Sequence, residues 1–338
     1  MSESCALPEF NLQQASQIAR DLFAIDGPIR LLNGERDLNF LIEDRRGKFV
    51  FKIANIDESP AMLECQHQVF DRLNKARAFP GIVTALASVN GQLIEYTRSA
   101  EGLEHACRVL PFIDGCLLGQ CHHIGSDLLE DLGQTLAQLD RALDGFAHPA
   151  LERPLLWEMR DGLDRIDDFK PLLENDSERA LVEYFETGFK QRVIAVESEL
   201  RLAVIHNDAN KGNVLVDETC KKLVGIIDFG DMVHSWLVVE PAIAATYAML
   251  DQPEPMRNAQ AILHGYHRTL PLTDVEIGVM FDLICMRLCM SVCICAYQRG
   301  LAPDNPYLSV DEKNAWDLLN KLRQIDHTEA QAFLREGL

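Results

Sequence analysis

Basic residues are scarce in this chain. Its 32 lysine and arginine residues are outnumbered by 52 aspartate and glutamate residues, so the formal net charge is −20 and the pI is about 4.9. Nucleic acids and anionic membrane surfaces bind proteins through clustered basic side chains. The charge balance therefore argues against both as partners. It is compatible with a cationic small molecule, and solubility alone accounts for most of the acidic excess.

Long uncharged apolar runs are also missing. A membrane-spanning helix needs roughly 18 such residues, and the best candidate, residues 283–297, is interrupted by Arg287. The first twenty residues lack the basic and apolar regions of a secretory leader. We therefore expect a cytoplasmic protein that makes no membrane contact and whose ten scattered cysteines are reduced thiols. We expect no zinc site at Cys121-His122-His123, because no second Cys/His pair follows at zinc spacing.

The sequence has no internal repeat and no low-complexity segment. Its 338 residues suffice for two domains of ordinary size, and 47% of them are hydrophobic. A globular protein with a substantial core is therefore expected.

One stretch, residues 202–231, is more informative than the rest. It contains three short apolar runs, Ala203–Ile205, Val214–Val216 and Leu223–Ile227, separated by polar segments. Short apolar runs rich in β-branched residues and bounded by turns are typical of strands. The pattern predicts strand, loop, strand, turn, strand.

Three polar residues stand at the ends of these predicted strands. Asp208 follows the first strand, Asn213 lies five residues later on the same loop, and Asp228 ends the third. A carboxylate and an amide oxygen suit a hard cation such as Mg²⁺. A separate carboxylate could orient a hydroxyl group and accept its proton.

These residues carry a resemblance to a known family. His206-x-Asp208-x-x-x-x-Asn213 followed by Asp228-Phe229-Gly230 is similar to the catalytic loop and metal motif of protein-kinase-like phosphotransferases. Protein kinases have Arg between the His and the Asp, whereas this chain has Asn207. The segments I-H-N-D-A-N-K-G-N-V-L-V and I-I-D-F-G-D-M resemble sequences of the aminoglycoside phosphotransferase family. Within that family they are most similar to the hydroxylysine kinase branch.

The resemblance implies a fold and a reaction. The fold would be α+β and two-lobed, with an antiparallel N-terminal lobe at residues 1–113, a mostly helical lobe at 114–338, and the nucleotide between them. The reaction would transfer the γ-phosphoryl group of ATP or GTP to a small-molecule hydroxyl. Asp208 would be the catalytic base, and Asn213 and Asp228 would hold Mg²⁺. The alternative is a nucleotide-binding regulatory module without turnover.

The N-terminal half shows further strand patterns at 29–32, 38–42 and 49–53, after a short helix that has apolar residues at helical spacing from Leu12 to Leu22. By resemblance, the turn at 33–37 would cover the nucleotide phosphates. Gly34 and Asn39 would belong to that site. A hairpin without a ligand is the alternative.

Lys52 lies inside an apolar strand, which is unusual because an ammonium group is costly to bury without a partner. The resemblance supplies two partners, the nucleotide phosphates and Glu64 on the following helix. Glu58 is an alternative partner, and an edge strand with Lys52 pointing to water is the alternative without function. Ser59-Pro60 predicts the start of that helix.

Later segments complete the N-terminal half. Asn90-Gly91 predicts a hairpin between strands at 83–89 and 92–96. A last strand is expected at 106–112. By resemblance, backbone groups near Leu110 and Phe112 would contact the nucleotide base.

The acceptor is the least specified part of the prediction. Asp231 and Glu240 follow the metal motif, and either could pair with an amine of the acceptor. We expect a small hydroxylated amino acid or amino alcohol, with hydroxylysine favoured. An aminoglycoside, homoserine or choline-type acceptor is the alternative. Asp231 could instead cap its segment, and Glu240 could instead support the catalytic loop.

Overall fold

The computed structural model describes residues 7–34, 36–301 and 312–338. Two compact units divide the chain, Met1–Asp114 and Gly115–Leu338. Antiparallel strands dominate the sheet of the first unit, and helices dominate the second, which makes the protein an α+β protein as predicted.

The first unit begins with helix α1 (Leu12–Phe23). Asn11 and Gln14 form a reciprocal capping box at its start, which satisfies backbone N–H groups that have no partner within the helix. Its buried face consists of Ala15, Ala19 and Phe23, and this face packs on the apolar side of the sheet.

The sheet of the first unit has five strands in the order β1-β2-β3-β5-β4, all antiparallel. Its strands are β1 (Ile29–Leu32), β2 (Leu38–Asp44), β3 (Gly47–Ile53), β4 (Glu95–Arg98) and β5 (Glu104–Pro111). Helix α2 (Pro60–Ala76) connects β3 to β4. Pro60 begins α2 as predicted, although the Ser59 side chain makes no capping hydrogen bond.

Of the hairpin predicted around Asn90-Gly91, the turn is present but the first strand is not. The turn exists, because Ser88 N donates to Gln92 O at 2.7 Å. Residues 83–89, however, form no strand, and β4 begins only at Glu95. β4 instead pairs with β5 through the later turn at 99–103, and the segment 83–89 makes one backbone hydrogen bond to β5, from Leu86 N to Val109 O at 2.9 Å.

The second unit is built mainly from helices. They are α3 (Ser126–Ala142), α4 (Gly162–Phe169), α5 (Asp176–Arg192), α6 (Val239–Met249), α7 (Pro255–Thr269), α8 (Asp274–Leu301), α9 (Glu312–Leu322) and α10 (His327–Arg335). Helices α3 and α7 cross at glycines. A Cβ atom on Gly133 would lie 2.0 Å from Ile262 O, and one on Gly265 would lie 1.9 Å from Glu130 O. Only glycine permits this approach.

Helix α8 is the longest of the described helices. It is long and apolar enough to cross a membrane, yet 83% of its most apolar 18-residue window is buried within the protein. Its side chains pack against α4, α5, α6 and α9, as in the core helix of a globular unit.

Two small sheets carry the motif residues of the second unit. β7 (Leu202–Ile205) pairs with β10 (Val233–Trp236), and β8 (Val214–Val216) lies between β6 (Cys116–Leu117) and β9 (Leu223–Ile226). These strands match the predicted strand-loop-strand-turn-strand pattern of residues 202–231.

The expectation that all cysteines are reduced is wrong for one pair. Cys121 and Cys220 form a disulfide with Cα atoms 6.0 Å apart, although 99 residues separate them in sequence. The β6–β8 pairing brings the two segments together. Sequence spacing carries no signal for such a contact, because the fold alone closes the distance.

Candidate active site

The loop between β7 and β8 is supported from below by a buried glutamate. Glu240 is fully buried at the start of α6. Its Oε2 atom accepts hydrogen bonds from His206 N at 2.5 Å and from Asn207 N at 3.1 Å. Burial raises the pKa of Glu240 to about 7, against the opposing effect of these bonds. The assignment of Glu240 to the acceptor is therefore wrong, because the carboxylate is enclosed and supports the loop.

Asn207 has an uncommon backbone conformation. Its φ is 66°, in the left-handed region that non-glycine residues rarely adopt. Its side chain is fully buried, and neither amide atom has a hydrogen-bond partner among the described residues. Asn tolerates this conformation better than most non-glycine residues, and the bonds that the N–H groups of His206 and Asn207 donate to Glu240 fix the turn.

His206 is a structural residue of the same loop. Its Nε2 lies 3.1 Å from Ile227 O, and its ring meets Phe229 edge-on at 4.7 Å. Burial lowers the pKa of His206, so the ring is held neutral. The histidine links the loop to the end of β9.

Asp208 has amide donors on both carboxylate oxygens. Asn210 Nδ2 donates to Oδ1 at 2.8 Å, and Asn213 Nδ2 donates to Oδ2 at 2.6 Å and to the backbone oxygen at 3.0 Å. The side chain is 21% exposed. Two fixed donors therefore orient a carboxylate that an incoming hydroxyl group can still reach.

The electrostatic setting of Asp208 favours proton acceptance. Burial raises the pKa of Asp208 to about 8, the negative charge of nearby Asp231 adds to this shift, and Arg287 opposes it. A general base works best when its pKa lies near the operating pH. The charge of Asp231 thus acts on Asp208, and Asp231 stays a candidate for the acceptor amine.

Asn213 and Asp228 are brought to the same end of the β8–β9 pair. Val214 lies opposite Ile226, and Ile227 N donates to Asn213 O at 2.9 Å. The amide nitrogen of Asn213 points at Asp208. The Oδ1 atom of Asn213 therefore points away from Asp208. Asp228 is exposed, with φ of 62°, and its Oδ1 accepts from Gly230 N at 3.3 Å. This pair of oxygen donors fits a hard divalent cation.

Sequence reasoning missed the role of Arg287. Its guanidinium group lies over Trp157 at 4.6 Å and over Tyr247 at 5.6 Å, and Nη1 donates to Trp157 O at 3.0 Å. Nη2 lies 4.0 Å from Asp208 Oδ1. Arg287 is 1% exposed, so it is a buried cation beside the proposed base. An arginine inside the most apolar stretch of the chain was the available signal, since such residues are rarely buried without a partner.

Lys52, in the first unit, has a different partner from the predicted one. Its Nζ lies 3.6 Å from Asp37 Oδ2, and both side chains are 15% exposed. Glu64 is exposed on α2. The predicted Lys52–Glu64 pair is therefore not formed in this structure. The sheet register explains why: Lys52 lies opposite Asn39 of β2, next to the turn that carries Asp37.

Gly34 and Asn39 shape the turn between β1 and β2. Asn39 Nδ2 lies 3.4 Å from both Asn33 O and Asp37 O. A Cβ atom on Gly34 would lie 2.6 Å from the backbone oxygen of Asp37, so the turn requires glycine there. Both residues stay candidates for the phosphate site. Glu35 of the same turn lies outside the described residues.

Leu110 and Phe112 lie at the end of β5, where the contact with the nucleotide base was predicted. Leu110 pairs with Val50 across β5 and β3, and Phe112 N donates to Lys48 O at 2.9 Å. The N–H group of Phe112 is thus used inside the sheet, because the ladder continues one residue past β5. Both residues stay candidates, Phe112 through its carbonyl group.

The five-stranded unit, the helical unit and the loop with its oriented carboxylate define a kinase-like phosphotransferase. Comparison with known proteins supports this class. The profile described as "Phosphotransferase enzyme family" matches residues 29–275, so the chain belongs to that family. It is a small-molecule kinase that acts on a hydroxyl group.

Curated relatives cover nearly the whole chain. Hydroxylysine kinase of Mus musculus is 30% identical over 95% of this chain and 91% of its own length. Hydroxylysine kinase of Bos taurus is 28% identical over the same shares. The family and branch predicted from the motifs of residues 202–231 are confirmed.

Solved structures share the fold at low identity. A microcompartment-associated aminopropanol kinase has a TM-score of 0.75 and 16% identity, covering 96% of this chain and 99% of its own. The amicoumacin kinase hAmiN, in complex with AMP-PNP, Ca²⁺ and Ami, has a TM-score of 0.71 and 14% identity, with coverages of 95% and 97%. These likenesses support the kinase-like fold.

Proposed function

We propose that this kinase transfers a phosphoryl group from ATP or GTP to the hydroxyl of a small amine-bearing acceptor, with hydroxylysine favoured. The observation that carries the proposal is the oriented, partly exposed carboxylate of Asp208. Two relatives named hydroxylysine kinase, aligned over most of the chain, support the acceptor.

In this proposal Asp208 holds the acceptor hydroxyl and takes its proton as the oxygen attacks the γ-phosphorus. The bond from that phosphorus to the β–γ bridging oxygen breaks, and the nucleoside diphosphate leaves. Asn210 and Asn213 keep the carboxylate oriented through their amide donors. Phosphoryl transfer depends mainly on positioning and electrostatic stabilisation. A carboxylate fixed by two hydrogen bonds meets the first requirement.

Asn213 Oδ1 and the Asp228 carboxylate would hold Mg²⁺. When bound, the ion neutralises charge on the transferred phosphoryl group. Asp228→Ala should weaken Mg²⁺-dependent nucleotide binding by about 10²-fold or more, because the charged ligand is lost. Calorimetric titration with Mg-nucleotide measures this, and an unchanged affinity would contradict the assignment.

Lys52 would contact the nucleotide phosphates, with Gly34 and Asn39 shaping the neighbouring turn. Lys52 has an acidic partner in Asp37, and this ion pair compensates for the partial burial of the ammonium group. Glu64 could replace Asp37 as partner only after a rearrangement that brings α2 and Lys52 into contact.

The acceptor amine would pair with Asp231. This carboxylate is half-buried and close enough to Asp208 to raise the pKa of that residue. A charge-assisted hydrogen bond to an ammonium group is among the stronger polar contacts. An amine placed there would put the acceptor's hydroxyl near Asp208.

A nucleotide-consumption screen tests the proposal. Amino acids, amino alcohols, choline and aminoglycosides would each be assayed with ATP and with GTP. Removing the acceptor's amine should reduce binding more than shortening its carbon chain by one methylene, which is worth only about 1–3 kcal/mol. Equal turnover of deaminated analogues, or preference for an aminoglycoside over every amino acid tested, would contradict it.

A further inference from the structure

Three cysteines of the second unit converge although they are distant in sequence. Cys116 lies on β6, Cys121 follows the short helical turn Leu118–Gln120, and Cys220 lies between β8 and β9. Their Sγ atoms all lie within 4.8 Å of one another. Among the described residues, no other three His, Cys, Asp or Glu side chains come together in this way as possible metal ligands.

The third cysteine is not required by the disulfide. The register of β6 places Cys116 opposite Val216, and its Sγ lies 3.5 Å from Asp217 O. All three cysteines are half-buried, so solutes can reach them. Of the other described cysteines, all but Cys295 are buried. The cluster therefore combines accessibility with a geometry that one covalent bond does not explain.

The chemistry of the cluster suits a soft divalent metal. Structural zinc sites are tetrahedral with Zn–S distances of about 2.3 Å, which puts thiolates roughly 3.8 Å apart. Lys221 and Lys222 follow Cys220, and neighbouring cations favour the thiolate form that binds metal. His122 and His123, both exposed, directly follow Cys121 in sequence, so their imidazoles are the nearest nitrogen ligands along the chain.

We propose that the reduced protein binds one Zn²⁺ through Cys116, Cys121 and Cys220, with an imidazole from His122 or His123 as the fourth ligand. The Cys121–Cys220 disulfide is the oxidised, metal-free form, because its sulfurs cannot ligate as thiolates. A phosphine and one water molecule convert the oxidised form to the reduced one: the phosphine is oxidised to a phosphine oxide with the oxygen of the water, and the disulfide becomes two thiols with its two protons. Zinc binding then releases the thiol protons.

The site would support the catalytic loop from outside. Gly119 N, between Cys116 and Cys121, donates to Lys211 O at 3.0 Å in the loop that holds Asp208. Cys220 lies in the turn of the β8–β9 hairpin, whose other end carries Asn213 and Asp228. A metal at the cluster would tie these two segments together.

The test measures zinc on phosphine-reduced protein after equilibration with Zn²⁺ and gel filtration. Excess Mg²⁺ is kept present to occupy oxygen sites. We expect about one zinc per chain for the parent and for the control Cys295→Ser, and none for the parent with its disulfide intact. Cys116→Ser is decisive because Cys116 is not in the disulfide, and its affinity should fall by at least ~10-fold.

A second measurement needs no variant. Alkylation of the reduced parent, followed by mass spectrometry, should show Cys116, Cys121 and Cys220 protected when Zn²⁺ is present and modified when it is absent. The proposal fails if the reduced parent binds no zinc, if Cys116→Ser binds as tightly as the parent, or if Zn²⁺ protects none of the three thiols. The kinase assignment would be unaffected by these outcomes.

Discussion

The loop that carries Asp208 and the strand that carries Lys52 are fixed by different means. The Asp208 loop is supported by hydrogen bonds from buried groups, with Glu240 beneath it and Asn213 beside it. Lys52 has one ion pair at 3.6 Å, with Asp37 of a neighbouring turn. Buried hydrogen bonds to a charged group are worth more than a partly exposed ion pair. The catalytic loop is thus preformed, and the lysine is held more weakly.

The largest expected effect tests the chemistry of the preformed loop. Asp208→Asn keeps the shape of the side chain and removes the carboxylate. We expect turnover to fall ~10²–10⁴-fold, the range for a general acid–base group, with nucleotide affinity nearly unchanged. Steady-state kinetics and nucleotide titration measure the two quantities. Glu218→Gln, on the exposed β8–β9 turn, is the matched control. Unchanged turnover would remove Asp208 from the mechanism.

The next effect tests what supports that loop. Glu240→Ala leaves the N–H groups of His206 and Asn207 without their acceptor inside the protein. Each unsatisfied buried donor costs about 1–3 kcal/mol, so we expect the free energy of unfolding to fall by roughly 2–6 kcal/mol. Denaturant unfolding measures this, with the exposed Glu218→Ala as control. A loss no larger than that of the control would mean that the loop is not held by Glu240.

A smaller effect tests the partner of Lys52. A double-mutant cycle on unfolding, with Lys52→Ala and Asp37→Ala, should give a coupling of about 0.5–1.5 kcal/mol without nucleotide, because the pair is partly buried. The same cycle with Glu64→Ala should give additive changes. Coupling to Glu64 and additivity with Asp37 would reverse the assignment.

The smallest expected effect is the contribution of His67, beside Arg108 in the first unit, to the pH dependence of stability. Arg108 lies opposite Lys52, and burial together with the charge of Arg108 lowers the pKa of His67 on α2 to about 4. Between pH 6.5 and 4 the unfolded chain therefore binds a proton that the folded chain does not. His67 makes the unfolding free energy fall as the pH drops through this window.

Replacing His67 with Gln should flatten that dependence. The difference between the two proteins should amount to about 1 kcal/mol, after allowance for the partial exposure of the ring. Unfolding curves at several pH values measure it. Parallel pH profiles for the parent and the variant would show that His67 is not held neutral.

The kinase-like architecture could be predicted because its signals are local. The strand patterns at 29–32, 38–42 and 49–53, the helical spacing from Leu12 to Leu22 and the Ser59-Pro60 helix start place β1, β2, β3, α1 and α2 close to where the structure has them. The failed strand at 83–89 shows the limit. An apolar run has strand-like composition whether or not a neighbouring strand accepts its hydrogen bonds.

The motif residues of the second unit follow the same rule. Asp208, Asn213 and Asp228 lie within one strand-loop-strand-turn-strand segment, so their arrangement is dictated by that segment and its β8–β9 register. Their chemistry and the family could therefore be inferred from residues 202–231 alone.

Tertiary structure decided the partners that come from elsewhere in the chain. Glu240 and Arg287 reach the loop from α6 and α8, Asp37 replaces Glu64 beside Lys52, and Cys220 meets Cys121. Each contact depends on how elements that are distant in sequence pack together. The residue type at one position does not predict which distant residue its side chain will contact. The sequence by itself determined the reacting groups, and packing determined what orients them.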